Sequence, residues 1–244
     1  MEVGKQIKFC DVADRNANVE GNFDLEKVTF YDDFLGDLLA DEWAPDTDTN
    51  GTTAIAAASG GVVALITHTD DDDRNMLSHG VTWLPTKNCI METRITMTPI
   101  TTIGVFVGFT DEAAEAAQTM PFALAVATLT DTATNGVGFL FDTDATTDVW
   151  NIVNTNAGTD AFTALASTYD PVALTYQTFR VEIVSPGVTA GTVDAYFYIN
   201  GEPVGYKAAA VAISTLLCPN VSVQNKNGAT HTVNVDYVKC WQDR

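Results

Sequence analysis

Short runs of β-branched and aromatic residues, separated by clusters of Gly, Asn, Asp and Thr, recur along most of this 244-residue chain. The runs follow one another at intervals of roughly 8–14 residues, which is the rhythm of strands and turns in an all-β domain. In residues 193–199 (VDAYFYI) apolar and polar side chains alternate with a period of two, and the Asn200-Gly201 pair that follows favours a tight hairpin turn. About fourteen candidate strands result, and they predict a β-sandwich.

Composition and charge restrict the kinds of partner that such a domain can bind. Hydrophobic residues make up 46% of the chain, which is enough for one sizeable core. The 12 Lys and Arg residues against 32 Asp and Glu residues give a net charge of −20, which repels nucleic-acid phosphates and anionic membranes. We therefore predict no nucleic-acid partner and no membrane partner. The first ten residues lack the apolar run of a signal peptide, so we expect synthesis in a cytoplasm.

Residues 1–27 differ from the remainder of the chain in composition and in hydrophobic pattern. They are polar, lack sustained alternation and precede the first convincing strand, so we interpret them as an arm outside a sandwich that spans residues 28–244. Lys5, Ile7, Lys8 and Phe9 alternate charged and apolar side chains, and we predict that they dock as a short strand onto a neighbouring subunit or shell. An extra edge strand or a frayed terminus is the alternative.

The two ends of the proposed domain carry sequences found together in one known fold. Residues 232–244 (TVNVDYVKCWQDR) and residues 31–34 (YDDF) resemble the closing and opening strands of the concanavalin A-like jelly roll. Legume lectins, laminarinase-type β-glucanases and many phage particle proteins have this fold. The resemblance implies an all-β sandwich of two antiparallel sheets, with the arm preceding it.

The resemblance to glucanases raises the question of catalysis. In those enzymes one strand carries a Glu-x-Asp-x-x-Glu pattern, which places two catalytic carboxylates on one face. The segment expected to correspond here, Met120–Leu129, contains no carboxylate, and the three histidines are isolated in sequence. No Gly-x-Ser-x-Gly elbow is present either. We therefore predict that the chain is not an enzyme, with convergence of carboxylates from distant loops as the remaining route to hydrolysis.

One acidic segment offers oxygen ligands at alternate positions. Asp46, Asp48 and Asn50 match the first half of a calcium loop, although the position of the bidentate Glu is occupied by Ala57. The resemblance to glucanases adds Asp236 of the closing strand as a ligand of a structural calcium ion. We predict no cofactor, with a structural calcium either at the Asp46, Asp48 and Asn50 loop or at Asp236 as the open alternative.

The four cysteines are widely spaced and form no Cys-x-x-Cys pair, which argues against a zinc site. In a reducing compartment they are expected to be buried apolar residues.

The first functional hypothesis is a phage virion structural protein, and it rests on resemblance. Four segments are similar to jelly-roll domains of virion proteins: residues 136–142, 179–183, 198–201 and 235–239. The resemblance implies a non-enzymatic capsid decoration or head-associated protein on the outer surface of the particle. Its expected partners are the major capsid protein or other virion proteins and further copies of itself.

The alternative is a carbohydrate-binding module or adhesin. Sugar binding needs exposed aromatic ring faces beside polar groups, and the best candidates are Tyr196, Tyr198, Trp150 and Trp83. Packing of these rings against the second sheet or a neighbouring subunit is the competing interpretation, and only the fold can decide between them.

Overall fold

The computed structural model describes residues 27–47, 50–112 and 120–244. Its strands are β1 (Lys27–Asp32), β2 (Trp43–Thr47), β3 (Thr52–Ile55), β4 (Val63–Ile66), β5 (Arg74–His79), β6 (Ile90–Thr98), β7 (Ile103–Thr110), β8 (Phe122–Ala125), β9 (Thr128–Asp131), β10 (Asn135–Asp142), β11 (Trp150–Asn156), β12 (Thr159–Ala164), β13 (Gln177–Val184), β14 (Thr192–Ile199), β15 (Glu202–Ala212), β16 (Cys218–Asn225) and β17 (Thr232–Asp243). Two short 3₁₀ helices lie at Pro85–Lys87 and Ser167–Tyr169. In the described part of the chain, no helix is long and apolar enough to span a membrane. The predicted arm lies outside the described residues, apart from its last residue, Lys27.

Two antiparallel sheets form the sandwich, as the sequence predicts. The eight-stranded sheet has the order β15-β14-β13-β6-β17-β4-β3, and β1 pairs with β17 as well. The first described strand therefore lies beside the last one, with Lys27 opposite Asp243. The seven-stranded sheet has the order β12-β11-β10-β7-β16-β5-β2. Most neighbours in either sheet are distant in sequence, which is the crossover connectivity of a jelly roll.

Strand alternation decides which side chains enter the core between the sheets. On β14, Val193, Ala195, Phe197 and Ile199 are buried in the core, whereas Tyr196 and Tyr198 occupy the opposite face. This division confirms the predicted period of two. Asn200 and Gly201 connect β14 to β15 with φ angles of 53° and 82°, and both residue types tolerate the left-handed conformation that such a hairpin turn requires.

The centre of the core is a cluster of aromatic rings contributed by both sheets. Trp150 of the seven-stranded sheet lies with its ring centroid 4.6 Å from that of Phe179 in the eight-stranded sheet. Phe139 packs edge-on against Phe179 and Phe197 at 5.1 and 5.5 Å. The indole nitrogen of Trp150 donates a hydrogen bond to Gln177 Oε1 at 3.2 Å, so its one polar atom is satisfied. Burial of each such side chain contributes about 1.5–3 kcal/mol, which makes this cluster a main source of adhesion between the sheets.

The segment Met120–Leu129 differs from its prediction as a strand of the sheet. It forms a separate two-stranded hairpin of β8 and β9, with Val126 at the turn in the left-handed region at a φ of 57°. Met120, Phe122 and Leu124 pack on the outer face of the seven-stranded sheet. The strand that follows β7 within the sheet is β10 instead. An absence of carboxylates from Met120–Leu129 therefore says nothing about the strands of the sheet itself.

Candidate functional site

The outer face of the eight-stranded sheet carries a strip of aromatic and charged side chains, which we call the tyrosine face. It has this composition because the even positions of β13, β14 and β6 and their neighbours point away from the core. The tyrosine face comprises Tyr206, Tyr196, Tyr198, Arg180, Glu182, Ile90, Glu92, Arg94, Lys239, Trp241, Tyr237 and Tyr31.

At one end of the tyrosine face, two tyrosines form an exposed pair. Tyr196 on β14 lies opposite Tyr206 on β15, with ring centroids 5.0 Å apart and planes at 49°. Their side chains are 39% and 47% exposed, which is high for large aromatic groups on a sheet. The pair offers ring surface on which an apolar or partly apolar ligand can stack.

A buried carboxylate holds Tyr206 in this position. The Tyr206 hydroxyl donates a hydrogen bond to Asp194 Oδ2 at 2.8 Å, and the pKa of the tyrosine is raised by this hydrogen bond, by burial and by the carboxylate's charge. Burial of Asp194 opposes its ionisation. Hydrogen bonds from Ala209 N, the Tyr206 hydroxyl and Val188 N outweigh that effect and lower the pKa of Asp194. Asp194 is therefore an ionised anchor, and Tyr206 stays a protonated donor.

Beside the tyrosine pair lies a group of polar side chains that fix one another. Arg180 pairs with Glu182 at 2.6 Å, and its guanidinium carbon lies 4.3 Å from the ring centroid of Tyr198. The Tyr198 hydroxyl is 3.3 Å from Glu182 Oε2. Because Arg180 covers one face of Tyr198, that ring is less available than Tyr196, while the guanidinium and carboxylate edges provide donors and acceptors next to the exposed rings.

The outer face of the seven-stranded sheet is different, because the hairpin of β8 and β9 covers part of it. Phe122 packs against Phe106 with ring centroids 5.2 Å apart. Room for this layer comes from glycines on β10: a Cβ added at Gly136 would lie 3.0 Å from the Phe122 ring, and one at Gly138 would lie 2.4 Å from Val107 O. Only glycine permits so close an approach at these positions.

The hairpin is anchored by a buried ion pair at the end of the same sheet. Lys226 Nζ lies 3.3 Å from Asp142 Oδ2, and both side chains are almost fully buried. Asp142 also accepts hydrogen bonds from Leu124 N and Asp144 N at 3.0 and 3.1 Å. Burial raises the pKa of Asp142, and the charge of Lys226 and the two hydrogen bonds oppose that shift. The pair thus joins the hairpin to the sheet.

Further along the seven-stranded sheet, the outer face of β5 and β16 is polar but buried. Asn220 Nδ2 donates a hydrogen bond to Ser78 Oγ at 2.7 Å, and the Ser222 hydroxyl donates to Asn220 Oδ1. Arg74 lies on the same side and is also fully buried. Ser78, Asn220 and Ser222 are hydrogen-bonded to one another, and as buried groups they present little surface to a ligand.

The structure separates the four aromatic residues predicted to contact sugar. Tyr196 and Tyr198 lie together on the tyrosine face. Trp150 is fully buried in the core, and Trp83 is buried there too, so neither offers an exposed ring. The expectation for the two tryptophans is corrected: both rings face the interior, because the inward positions of their segments are where the sandwich buries its largest side chains.

Asp236 and Asn50, the proposed calcium ligands whose side chains the structure describes, each have a partner within the protein. Asp236 lies at a bulge in the eight-stranded sheet, and its carboxylate pairs with Arg94 at 2.7 Å, so a cation already neutralises it. Asp46 belongs to β2 of the seven-stranded sheet, Asn50 Nδ2 is 3.4 Å from Asp70 Oδ2, and Asp48 lies outside the described residues. Across residues 27–47, 50–112 and 120–244, no three Asp, Glu, His or Cys residues are grouped as metal ligands. A structural calcium at Asp46, Asp48 and Asn50 stays a prediction.

Lys5, Ile7, Lys8 and Phe9 lie outside the described residues. Sequence reasoning missed Tyr206 and Arg180 as partners of Tyr196 and Tyr198. The alternation of residues 178–183 signals Arg180, whereas Tyr206 is hidden because register shifts against β14 interrupt the pairing of β15.

The comparisons with known proteins bear on the fold. No protein-family model and no curated protein matches the chain. Among solved structures, peanut lectin is similar with a TM-score of 0.59 at 13% identity, covering 88% of this chain and 97% of that chain. The Bacillus licheniformis β-glucanase gives 0.55 at 12% identity, covering 88% and 98%. The fold is the concanavalin A-like jelly roll. At these identities the likeness shows the fold alone.

The prediction that the chain is not an enzyme is overturned. Besides the β-glucanase, the endo-β-1,4-glucuronan lyase from Trichoderma reesei is similar, with a TM-score of 0.58 at 8% identity over 86% of this chain and 94% of that chain. Enzymes that act on glycans thus share the fold, so the fold itself gives no ground for excluding catalysis. The lack of carboxylates in Met120–Leu129 does not bear on catalysis, because this segment is a covering hairpin and not a strand of the sheet.

The same comparisons are compatible with a structural metal ion. The Emp46p carbohydrate recognition domain, similar with a TM-score of 0.54 in its potassium-bound form, is known in a metal-free form as well. The structures named here are lectin-like domains and glycan-active enzymes, and none of them indicates a phage virion protein.

Proposed function

We propose that this domain binds glycans through the tyrosine face, with the Tyr196–Tyr206 pair as the stacking platform. The observation that carries the proposal is the exposure of two adjacent tyrosine rings beside the Arg180–Glu182 pair. Sugars present an apolar ring face and a rim of hydroxyls. Aromatic rings bind the first, and guanidinium and carboxylate groups hydrogen-bond to the second.

The fold supports this proposal in a second way. Solved structures with the same fold include peanut lectin and the Emp46p carbohydrate recognition domain, whose names denote carbohydrate binding. A place on the outer surface of a virion, capsid partners and self-association stay predictions. Docking through the N-terminal arm also stays a prediction.

Affinity electrophoresis and calorimetry on a panel of polysaccharides test the proposal. We expect Tyr196→Ala and Tyr206→Ala each to weaken binding at least about tenfold, equivalent to 1.4 kcal/mol. Tyr196→Trp should retain binding because it keeps a stacking ring. Leu38→Ala is the matched control, because Leu38 is exposed but lies on a loop outside the tyrosine face. Unchanged affinity in both alanine variants would place the glycan elsewhere.

A further inference from the structure

The tyrosine face has aromatic side chains at both ends. Register across the strands places Tyr196, Glu182, Ile90 and Trp241 in one row, since each lies opposite the next. A parallel row runs Tyr198, Arg180, Glu92, Lys239 and Tyr31. Both rows therefore begin and end with an aromatic ring, and both carry charged residues between the ends.

The second aromatic end is as well formed as the first. Tyr31 is 59% exposed, and its ring centroid lies 6.3 Å from that of Tyr237. The Tyr237 hydroxyl donates a hydrogen bond to Glu92 at 3.0 Å, and burial together with that bond raises the pKa of Tyr237 to about 12. Lys239 Nζ lies over the Trp241 ring, 4.9 Å from its centroid, so it covers one ring face as Arg180 covers Tyr198 and leaves the other face and the ammonium for a ligand.

The distance between the ends exceeds the size of one sugar. Three interstrand spacings separate Tyr196 from Trp241 and four separate Tyr198 from Tyr31, which at about 4.8 Å per spacing gives roughly 14 and 19 Å. A ligand that contacts both ends must therefore be a chain of several sugars lying across the strands.

The charges of the tyrosine face disfavour an anionic polysaccharide as the ligand. Arg180 pairs with Glu182 and Arg94 with Asp236, and Lys239 lies opposite Glu92 in the strand register, so these six charges sum to zero within a chain of charge −20. An anionic polysaccharide would meet the repulsive field of the whole domain, and the two arginines of this face are already paired with carboxylates. The paired charges still provide donors and acceptors for hydroxyl groups.

We propose, resting on the glycan-binding function above, that the ligand is an uncharged polysaccharide chain that spans the tyrosine face from Tyr196 and Tyr206 to Trp241 and Tyr31. The second aromatic end is then a distinct subsite for the distal sugars of the chain.

Calorimetry with neutral disaccharides and hexasaccharides of glucose, mannose and xylose tests this, with galacturonate hexasaccharide as the anionic probe. We expect the best neutral hexasaccharide to bind at least tenfold more tightly than its disaccharide and the anionic probe to bind more weakly. Trp241→Ala and Tyr31→Ala should reduce hexasaccharide affinity about tenfold and leave disaccharide affinity unchanged. Trp241→Phe should restore it, and a melting temperature close to that of the unaltered protein would exclude misfolding.

The outcomes separate the two proposals. If Tyr196→Ala abolishes binding while Trp241→Ala and Tyr31→Ala have no effect on the hexasaccharide, the site is local and the extended subsite is wrong, although glycan binding stands. Tighter binding of the galacturonate probe overturns the uncharged ligand. No binding of any probe overturns both proposals.

Discussion

The outer faces of the two sheets obey the same alternation but have opposite surroundings. On the eight-stranded sheet, outward side chains are aromatic or charged and partly exposed, as Tyr196 and Tyr206 show. On the seven-stranded sheet, the outward side chains of β7, β10 and β16 are buried, under the hairpin in one part and within a polar row in another. The outer face of the eight-stranded sheet is therefore exposed to solvent, whereas the outer face of the seven-stranded sheet is packed beneath other residues.

Side chains on the two faces therefore contribute differently to the folding stability of the domain. The exposed face depends on pairs of side chains that fix one another, such as Arg180 with Glu182, and exposed pairs contribute little to folding. The covered face depends on close packing and on buried polar contacts, where the loss of one partner is costly. Substitutions on the two faces should consequently differ in whether they change stability or binding.

The largest effect is expected at the buried ion pair of the covered face. Lys226→Met leaves the buried Asp142 without its cation and should reduce the free energy of unfolding by about 3–5 kcal/mol. Urea denaturation measures it. The double variant Lys226→Met with Asp142→Leu is the control, since replacing both charges with apolar groups should recover much of the loss. A single-variant loss below about 1 kcal/mol would mean that the hairpin is held without this pair.

The next effect compares a polar residue from each face. Asn220→Ala removes the partner of Ser78 and Ser222, and a buried group left unsatisfied costs about 1–3 kcal/mol. Tyr196→Ala on the exposed face should change stability by only about 0.5 kcal/mol. Denaturant midpoints of the two variants check the contrast, and equal losses would erase the distinction between the faces.

A smaller effect depends on pH. The folded pKa of Asp194 lies below the usual value of about 3.9, so the native state binds fewer protons than the unfolded chain near that pH. Its stabilisation is present above about pH 4 and is lost as the pH falls through the folded pKa. We expect Asp194→Asn to lower the melting temperature at pH 6 and to differ less from the unaltered protein at pH 3. An equal difference in melting temperature at both pH values would show that the charge of the Asp194 carboxylate does not contribute to stability.

The smallest expected signal is thiol reactivity. Cys89 and Cys218 are buried free thiols, and burial raises the pKa of each to about 12; burial also raises that of Cys240. Because the thiolate is the reactive form, we expect almost no alkylation of these three at pH 8 in the native state and complete alkylation in denaturant. Peptide mass spectrometry resolves each site. Rapid native labelling at Cys218 would show that the covered face opens.

The sequence predicted local features better than the assignment of residues to faces. Alternation in β14 is encoded by neighbouring residues, so the buried and outward positions could be deduced correctly. The inward orientation of Trp150 could not be deduced in this way. An aromatic residue is compatible with either face of a strand, and its orientation depends on packing against the opposing sheet. Phe122 and Leu124 were mistaken for a strand of the sheet, since an apolar covering hairpin has the same composition as a buried strand. Tyr206 was missed because bulges break the alternation of β15.

Amide chemical-shift mapping with a neutral hexasaccharide tests the central claim, that the tyrosine face is the ligand-binding surface. We predict that the perturbed amides cluster on β6, β13, β14 and β15 and extend to β17 and β1, with the amides of β5 and β16 unchanged. Perturbations concentrated at Ser78, Asn220 and Ser222 would instead place the ligand on the covered face and contradict the account.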